Sequence, residues 1–399
     1  MSFLPSWPLD FSQLLLFSLL LIAGLAAGEL AQRLLRLPRI TGYVVAGLVI
    51  GHLHDGVAER PMFDEARVFA EVALGLVLFI MGRRLDFSWL RRDRWLAASG
   101  AVESAATFGA TYFVLRGFAV EPIWATIAGA IAMSTSPAVV MLVVRDNRAE
   151  GQMTERLLCL SAMNSIFAVL ALTMLLSWLH LEYQAGLEAV LFHPFYLVIG
   201  SLLLAWGMAF ALMRAARLCG KREAVQFVLI LGAVLLTAAL AQMFRLSVPI
   251  ALLAMGVLVR NFDRDRSVLN IEFGYAVEPF FVILFVIVGL RLPLGAIAGA
   301  WQAALAYFAV RLAAKTAAIY LLGRIGGAPA RRSWLTGLAL APMAGLATIL
   351  ASDVVALYPE TGARFAAIVL GAVTLGTVLG PIATQFALRR VGETARDAA

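Results

Sequence analysis

Apolar runs about as long as a bilayer is thick recur through this chain from Phe11 to Leu388, with charged residues gathered between them. A helix that crosses the hydrocarbon core needs roughly 20 mainly apolar residues, because its backbone N–H and C=O groups must be satisfied within the segment. This repetition excludes an ordinary soluble fold. Composition agrees: of 399 residues 62% are hydrophobic and 14% charged, with a mean hydropathy of +0.88. A soluble domain is about half apolar and about a quarter charged. About thirteen runs are found, starting near Phe11, Ile40, Phe63, Trp95, Ile123, Leu157, Phe195, Val225, Ser247, Val268, Leu294, Trp334 and Ala366, the second and ninth being short. The expectation is an all-α polytopic membrane protein with about 13 transmembrane helices.

Arginine and lysine set the expected orientation, since they favour cytoplasmic loops. Alternate loops are basic. One set holds Arg33, Arg36 and Arg39, then Arg83 to Arg94, Arg145 to Arg156, Arg214 to Arg222, Arg260 to Arg266, Arg324 to Arg332 and the tail from Arg389. It contains 24 of the 32 basic residues, the opposite loops contain six, and Arg311 and Lys315 lie within a run. The chain is therefore expected in the cytoplasmic (inner) membrane, with its N-terminus outside and its C-terminus in the cytoplasm.

The net charge of +7 then reflects topology. No basic stretch carries the interleaved aromatics of a nucleic-acid site. Cys159 and Cys219 are too few for a disulfide framework and read as small apolar residues. No basic region precedes the first apolar run, which argues against a cleaved signal peptide. His52, His54, His180 and His193 lack metal-ligand spacing. Neither a phosphate-cradling glycine loop nor a nucleophile elbow is present. No enzyme, cofactor or metal centre is expected.

The runs divide as six, one and six, so two six-helix halves would have opposite orientations. A faint internal likeness fits such inverted repeats: PRITGYVVAGLVIG from Pro38 resembles SVPIALLAMGVLVRN from Ser247, with Gly47 on Gly256 at an offset of 209. Pro137 and Pro342, each mid-run, are 205 apart. The expected organisation is one transmembrane transporter domain over 1–399: repeat one about 11–180, a linker helix about 191–217 and repeat two about 222–390, with no soluble regulatory domain. Proline in mid-helix removes an N–H and frees a carbonyl that lipid cannot satisfy. Paired breaks of this kind place a substrate site near the bilayer midplane. Ser134-Thr135-Ser136-Pro137 gathers three hydroxyls at one break, an oxygen cluster suited to a small cation.

These segments resemble the monovalent cation:proton antiporter-2 family, which includes sodium/proton exchangers and potassium-efflux proteins. The likeness is carried by LPRITGYVVAGLVIG from Leu37, AEVALGLVLFIMGRRLD from Ala70, AMSTSPAVVMLVVRD from Ala132, EPFFVILFVIVGLRL from Glu278 and GLALAPMAGLATILAS from Gly337. It implies crossed, discontinuous helices, alternating access, a monovalent cation (sodium or potassium) and a proton as substrates, and a homodimer in the lipid bilayer. It also marks departures. The family's sixth helix carries an ion-binding aspartate where SAMNSIFAVL places Asn164 and Ser165. A third-helix glutamate is Arg84, and a Pro-Arg-Gly-Glu motif is Pro342-Met343-Ala344-Gly345. The family's helix-eleven lysine persists as Lys315.

An aspartate can hold a proton or a cation in turn; an amide and a hydroxyl do not titrate near neutral pH but still offer neutral oxygens. The candidate ion- or substrate-binding residues are Ser134, Thr135, Ser136, Asn164, Ser165, Lys315 and Glu103, the last as the best-placed surviving carboxylate at membrane depth. Glu71 and Glu278 lie nearer the membrane faces and read as structural. Arg311 and Lys315 share one helix face. Glu103, the C-terminal dipole of a half-helix or a bound anion would offset their charge. Three readings stay open: an ion transporter with altered proton coupling, a transporter of an anion or neutral solute, and a non-transporting sensor or complex subunit.

Overall fold

The computed structural model describes residues 13–53, 62–183, 187–269, 278–290, 292, 299–358 and 362–394. These residues form helices and connections, with no strand among them. The chain divides into two compact units, one comprising Met1–Ala73 and Phe273–Leu292, the other Leu74–Glu272 and Pro293–Ala399.

The smaller unit contains α1 (Gln13–Leu34), α2 (Arg39–Leu53), α12 (Glu278–Leu290) and the first part of α3 (Met62–Arg83). Glycine lets α2 and α12 touch backbone to backbone. A Cβ on Gly47 would stand 2.0 Å from the Val286 carbonyl oxygen, and one on Gly289 2.1 Å from that of Val44. Arg39 pairs with Glu29 at 2.6 Å and Glu278 at 3.2 Å, which gives Glu278 the structural role expected of it.

In the larger unit the end of α3 meets α11 (Val248–Phe262) in the same manner. A Cβ on Gly82 would lie 2.1 Å from Leu253 O, and one on Gly256 2.1 Å from Phe79 O. The other elements are α4 (Phe87–Arg92), α5 (Arg94–Gly117), α6 (Pro122–Met133), α7 (Pro137–Asp146), α8 (Gln152–Tyr183), α9 (Leu187–Cys219) and α10 (Glu223–Met243). They are followed by α13 (Trp301–Ile325), α14 (Ala330–Ala339), α15 (Gly345–Leu357) and α16 (Ala363–Val391). Among the described residues seven helical stretches are long and apolar enough to span a bilayer: those at Phe17–Leu34, Pro122–Asp146, Gln152–Leu176, Pro194–Cys219, Glu223–Met243, Trp301–Ile325 and Arg364–Val391. Three shorter apolar helices add to these. The chain is an all-helical, multi-pass membrane protein.

Most expected runs coincide with described helices. The run placed near Val268 departs: Val268 lies outside a helix, residues 270–277 fall outside the described residues, and α12 begins at Glu278. The start expected near Leu294 also lies outside them, and α13 begins at Trp301. Cys159 is buried as expected, but Cys219 is exposed at the end of α9, where the helix meets its basic loop. The histidine side chains, and all of His54, lie outside what the structure describes.

Candidate functional site

Two of the apolar runs are each split at the proline that marked them in the sequence. The first divides into α6 and α7 across Ser134-Thr135-Ser136, with Pro137 as the first residue of α7, the position where its missing N–H costs nothing. The second divides into α14 and α15 across residues 340–344, with Pro342 in the middle of the break. The breaks touch. The Ser136 amide donates to the Pro342 carbonyl at 3.0 Å, and Thr135 Oγ1 lies 3.4 Å from the Leu340 carbonyl.

A half-helix that ends inside a membrane leaves carbonyls without donors. Arg311 of α13 meets this need for both breaks. Its Nε donates to Ala132 O at 2.9 Å, its Nη1 to Ala341 O at 2.8 Å, and its Nη2 to Ser134 O at 2.5 Å and Pro342 O at 3.3 Å. Lys315, one turn on, donates to Met133 O at 2.9 Å. Helix α16 completes the second break: Thr384 donates to Ala339 O and Thr377 to Met343 O, both at 2.9 Å. Gly376 and Gly380 bring α16 that close, since a Cβ on Gly380 would sit 2.5 Å from Pro342 Cα.

The first break faces α8 through side chains. Asn164 Nδ2 donates to Thr135 Oγ1 at 3.1 Å, and Asn164 Oδ1 accepts from Ser104 Oγ of α5 at 3.3 Å. Ser165 Oγ lies 3.2 Å from Thr135 O and 2.9 Å from Ser161 O. Donation thus runs from Ser104 through Asn164 and Thr135 to Leu340 O. All these polar residues are buried, Asn164, Ser165 and Thr135 completely. Ser136 is buried as well, although its hydroxyl caps nothing.

Beside this oxygen cluster lies a buried ion pair. The ammonium of Lys315 meets Oε1 of Glu103 on α5, and both side chains are wholly inaccessible to solvent. Thr107, one turn along α5, also donates to Oε1, at 3.2 Å. Oε2 has no partner. The positive face on α13 is therefore offset by two of the means considered from sequence, Glu103 for Lys315 and the carbonyl ends of the broken helices for both cations. The structure brings Ser134, Thr135, Ser136, Asn164, Ser165, Glu103 and Lys315 together in one region. Glu71 is exposed, and Arg84 pairs with Glu155 at 3.1 Å, away from this region.

The family model described as "Sodium/hydrogen exchanger, transmembrane" matches residues 14–390. This chain is a member of that family. Two solved structures of the sodium proton antiporter MjNhaP1 from Methanocaldococcus jannaschii share its fold. The structure at pH 8 superposes with a TM-score of 0.70 at 16% identity, covering 96% of this chain and 99% of that one. The structure in an electron-microscopy map gives 0.71 at 16% identity, covering 95% and 97%.

Sequence reasoning gave Arg311 no place among the candidates, yet it braces more of the exchanger's centre than any of them. Its signal was present: Tyr307, Arg311 and Lys315 recur every four residues, and all are buried. Tyr307 continues the pattern by donating to Ala128 O of α6 at 2.8 Å. A matching stripe of Glu103, Thr107 and Thr111 is buried on α5. Ser104, which holds Asn164, was equally unremarked.

Proposed function

We propose that this family member is an alternating-access transporter of a monovalent cation, sodium or potassium, with atypical proton coupling. The carrying observation is the closed set of neutral groups at the first break. Ser104, Asn164 and Ser165 donate within this set and Thr135 donates to Leu340 O, which leaves lone pairs on Asn164 Oδ1, Thr135 O and Ser165 Oγ for a cation. None of these groups takes up a proton near neutral pH. Proton and cation therefore do not compete for one carboxylate, and coupling is weaker than where they do. Ser134, Thr135, Ser136, Asn164 and Ser165 are the proposed site, with Glu103 and Lys315 as its charged neighbours. The anion reading is disfavoured because Arg311 and Lys315 spend their donors on carbonyls and on Glu103.

The motifs favour the antiporter-2 branch. The two glycine crossings support inverted repeats: Gly47 and Gly256 are 209 apart, Gly82 and Gly289 207 apart, and each meets the partner carbonyl of its own unit. The charge alternation supports a cytoplasmic-membrane protein with its N-terminus outside, and the family resemblance supports a homodimer.

The test is purified protein in liposomes with an internal pH dye, challenged with sodium, potassium and lithium. Native protein should move a cation with less linked proton movement than the Ser165→Asp variant. Ser165→Asp should confer exchange that depends steeply on pH. A carboxylate there can hold a proton or a cation in turn, which the native amide and hydroxyl cannot. Native exchange whose apparent cation affinity falls tenfold per unit of pH drop, without limit, is the signature of a shared site and would defeat this reading.

A further inference from the structure

Glu103 is the one buried carboxylate among the described residues, and half of it is unused. Oε1 takes the Lys315 ammonium and the Thr107 hydroxyl, whereas Oε2 is buried with no hydrogen-bond partner. An unmet carboxylate oxygen in a low-dielectric interior is costly, and a neutral carboxylic acid is less costly to bury than a carboxylate. Lys315 does not depend on Glu103 alone, because Met133 O at the end of α6 also accepts from it. The lysine thus keeps a partner when the carboxylate is neutralised. We propose that Glu103 is a proton-binding site distinct from the oxygens of the first break, and that proton and cation are coupled through charge with no shared ligand.

The step is a simple protonation. The Glu103 carboxylate takes one proton from water on Oε2 and becomes a neutral carboxylic acid. Lys315 stays an ammonium, and the core gains one positive charge. That charge appears next to Ser104, which holds Asn164, and beside the Met133 carbonyl, one residue before Ser134. The titratable and charged groups around Glu103 are few. Helix α13 presents Tyr307, Arg311 and Lys315; α6 has no titratable residue. Helix α8 presents neutral Ser161, Asn164 and Ser165, with Cys159 toward its start and, in its first turns, Glu155 and Arg156 paired with Arg84 and Asp93. Helix α4 contributes only Arg91 and Arg92.

Charge coupling differs from competition in a measurable way. One unit of charge about 8 Å from a cation, at an effective dielectric of about 20, changes its affinity by roughly 30-fold. The effect then stops, because once Glu103 is protonated a further drop in pH adds no charge, and the linkage is reciprocal. Lower pH weakens cation binding to a plateau, which is the direction exchange requires.

This inference rests on the proposed cation site, and the experiment separates the two. Purified native protein is titrated with sodium chloride and potassium chloride by calorimetry across pH. Infrared difference spectra of the same samples follow the carboxylic-acid carbonyl band. The variants are Glu103→Gln, Glu103→Asp, and Glu103→Gln combined with Lys315→Met, which leaves no buried charge unpaired if the single variant fails to fold. The expected result is a protonated-carboxyl band that grows as pH falls, is absent in the double variant and shifts in Glu103→Asp. Cation affinity should fall by roughly 30-fold to a plateau in native protein and be flat with pH in the double variant. Lack of the band in native protein, or a cation pH dependence that survives in the double variant, overturns the proposal. Absence of cation binding at every pH overturns the cation reading instead, and the band still decides whether Glu103 takes a proton.

Discussion

The two helix breaks meet at the same crossing, share Arg311 and were built on similar proline patterns, yet they are chemically opposite. The first, Ser134-Thr135-Ser136, carries three hydroxyls and is bonded to α8 through Thr135. The second, Leu340-Ala341-Pro342-Met343-Ala344, has no polar side chain at all. Its carbonyls from Ala339 to Met343 each receive a donor from elsewhere: Thr384, Thr135, Arg311, the Ser136 amide and Thr377. One break has side chains to offer a substrate; the other is held passively by its neighbours. A crossed pair of this sort needs only one chemically active half, provided that the second is satisfied from outside.

The comparison is broken most severely by removing what the breaks share. Arg311→Leu leaves three carbonyls, those of Ala132, Ser134 and Ala341, without that donor, while Pro342 O keeps the Ser136 amide; each unmet buried acceptor costs about 1–3 kcal/mol. A melting temperature lower by roughly 10 °C, or failure to fold, is expected in detergent-purified protein. Arg311→Lys should restore little of it, because a single ammonium cannot span acceptors on two helices as a planar fork does. A melting temperature within a degree of native would show that the breaks hold themselves without the guanidinium.

Much of this arrangement was legible in the sequence, and the rest was hidden for identifiable reasons. Helices were visible as apolar runs, and both breaks as prolines within them, because lipid imposes composition directly on each segment. Asn164 and Ser165 were singled out against a family pattern, and the structure sets both beside the first break. The partner of Lys315 was only one of three options in the sequence, since pairing across 212 residues leaves no local trace. Arg311 was overlooked because a charge satisfied by backbone carbonyls needs no complementary side chain to betray it. The same holds for Thr377 and Thr384, whose acceptors are main-chain groups of another helix.

Paired threonine variants sharpen the contrast at intermediate size. Thr135→Val removes the acceptor of Asn164 and the donor to Leu340 O; Thr377→Val removes the donor to Met343 O. Each should cost about 1–2 kcal/mol of stability. Only Thr135→Val should also weaken cation binding in calorimetric titration, because only the first break offers oxygens to the substrate. Equal losses of cation affinity in both variants would mean that the breaks act as one unit and the division between them is false.

The smallest expected effect is the most discriminating. The Ser136 hydroxyl makes no cap and no hydrogen bond among the described residues, and the bond that joins this residue to Pro342 runs through its backbone amide. Ser136→Ala keeps that amide, and Ala fits the extended backbone at this position, φ −69° and ψ 106°, without strain. Stability should stay within about 0.5 kcal/mol of native, as for a substitution that removes no packing and no bond. On the proposed cation site this hydroxyl is one of the substrate's ligands. Cation affinity measured on the same sample should therefore fall by several-fold while the melting curve does not move. If affinity is also unchanged, Ser136 is a bystander and the cation is held by Thr135, Asn164 and Ser165 alone. If the melting curve moves instead, the hydroxyl supports the crossing, and the first break is less unlike the second than its composition suggests.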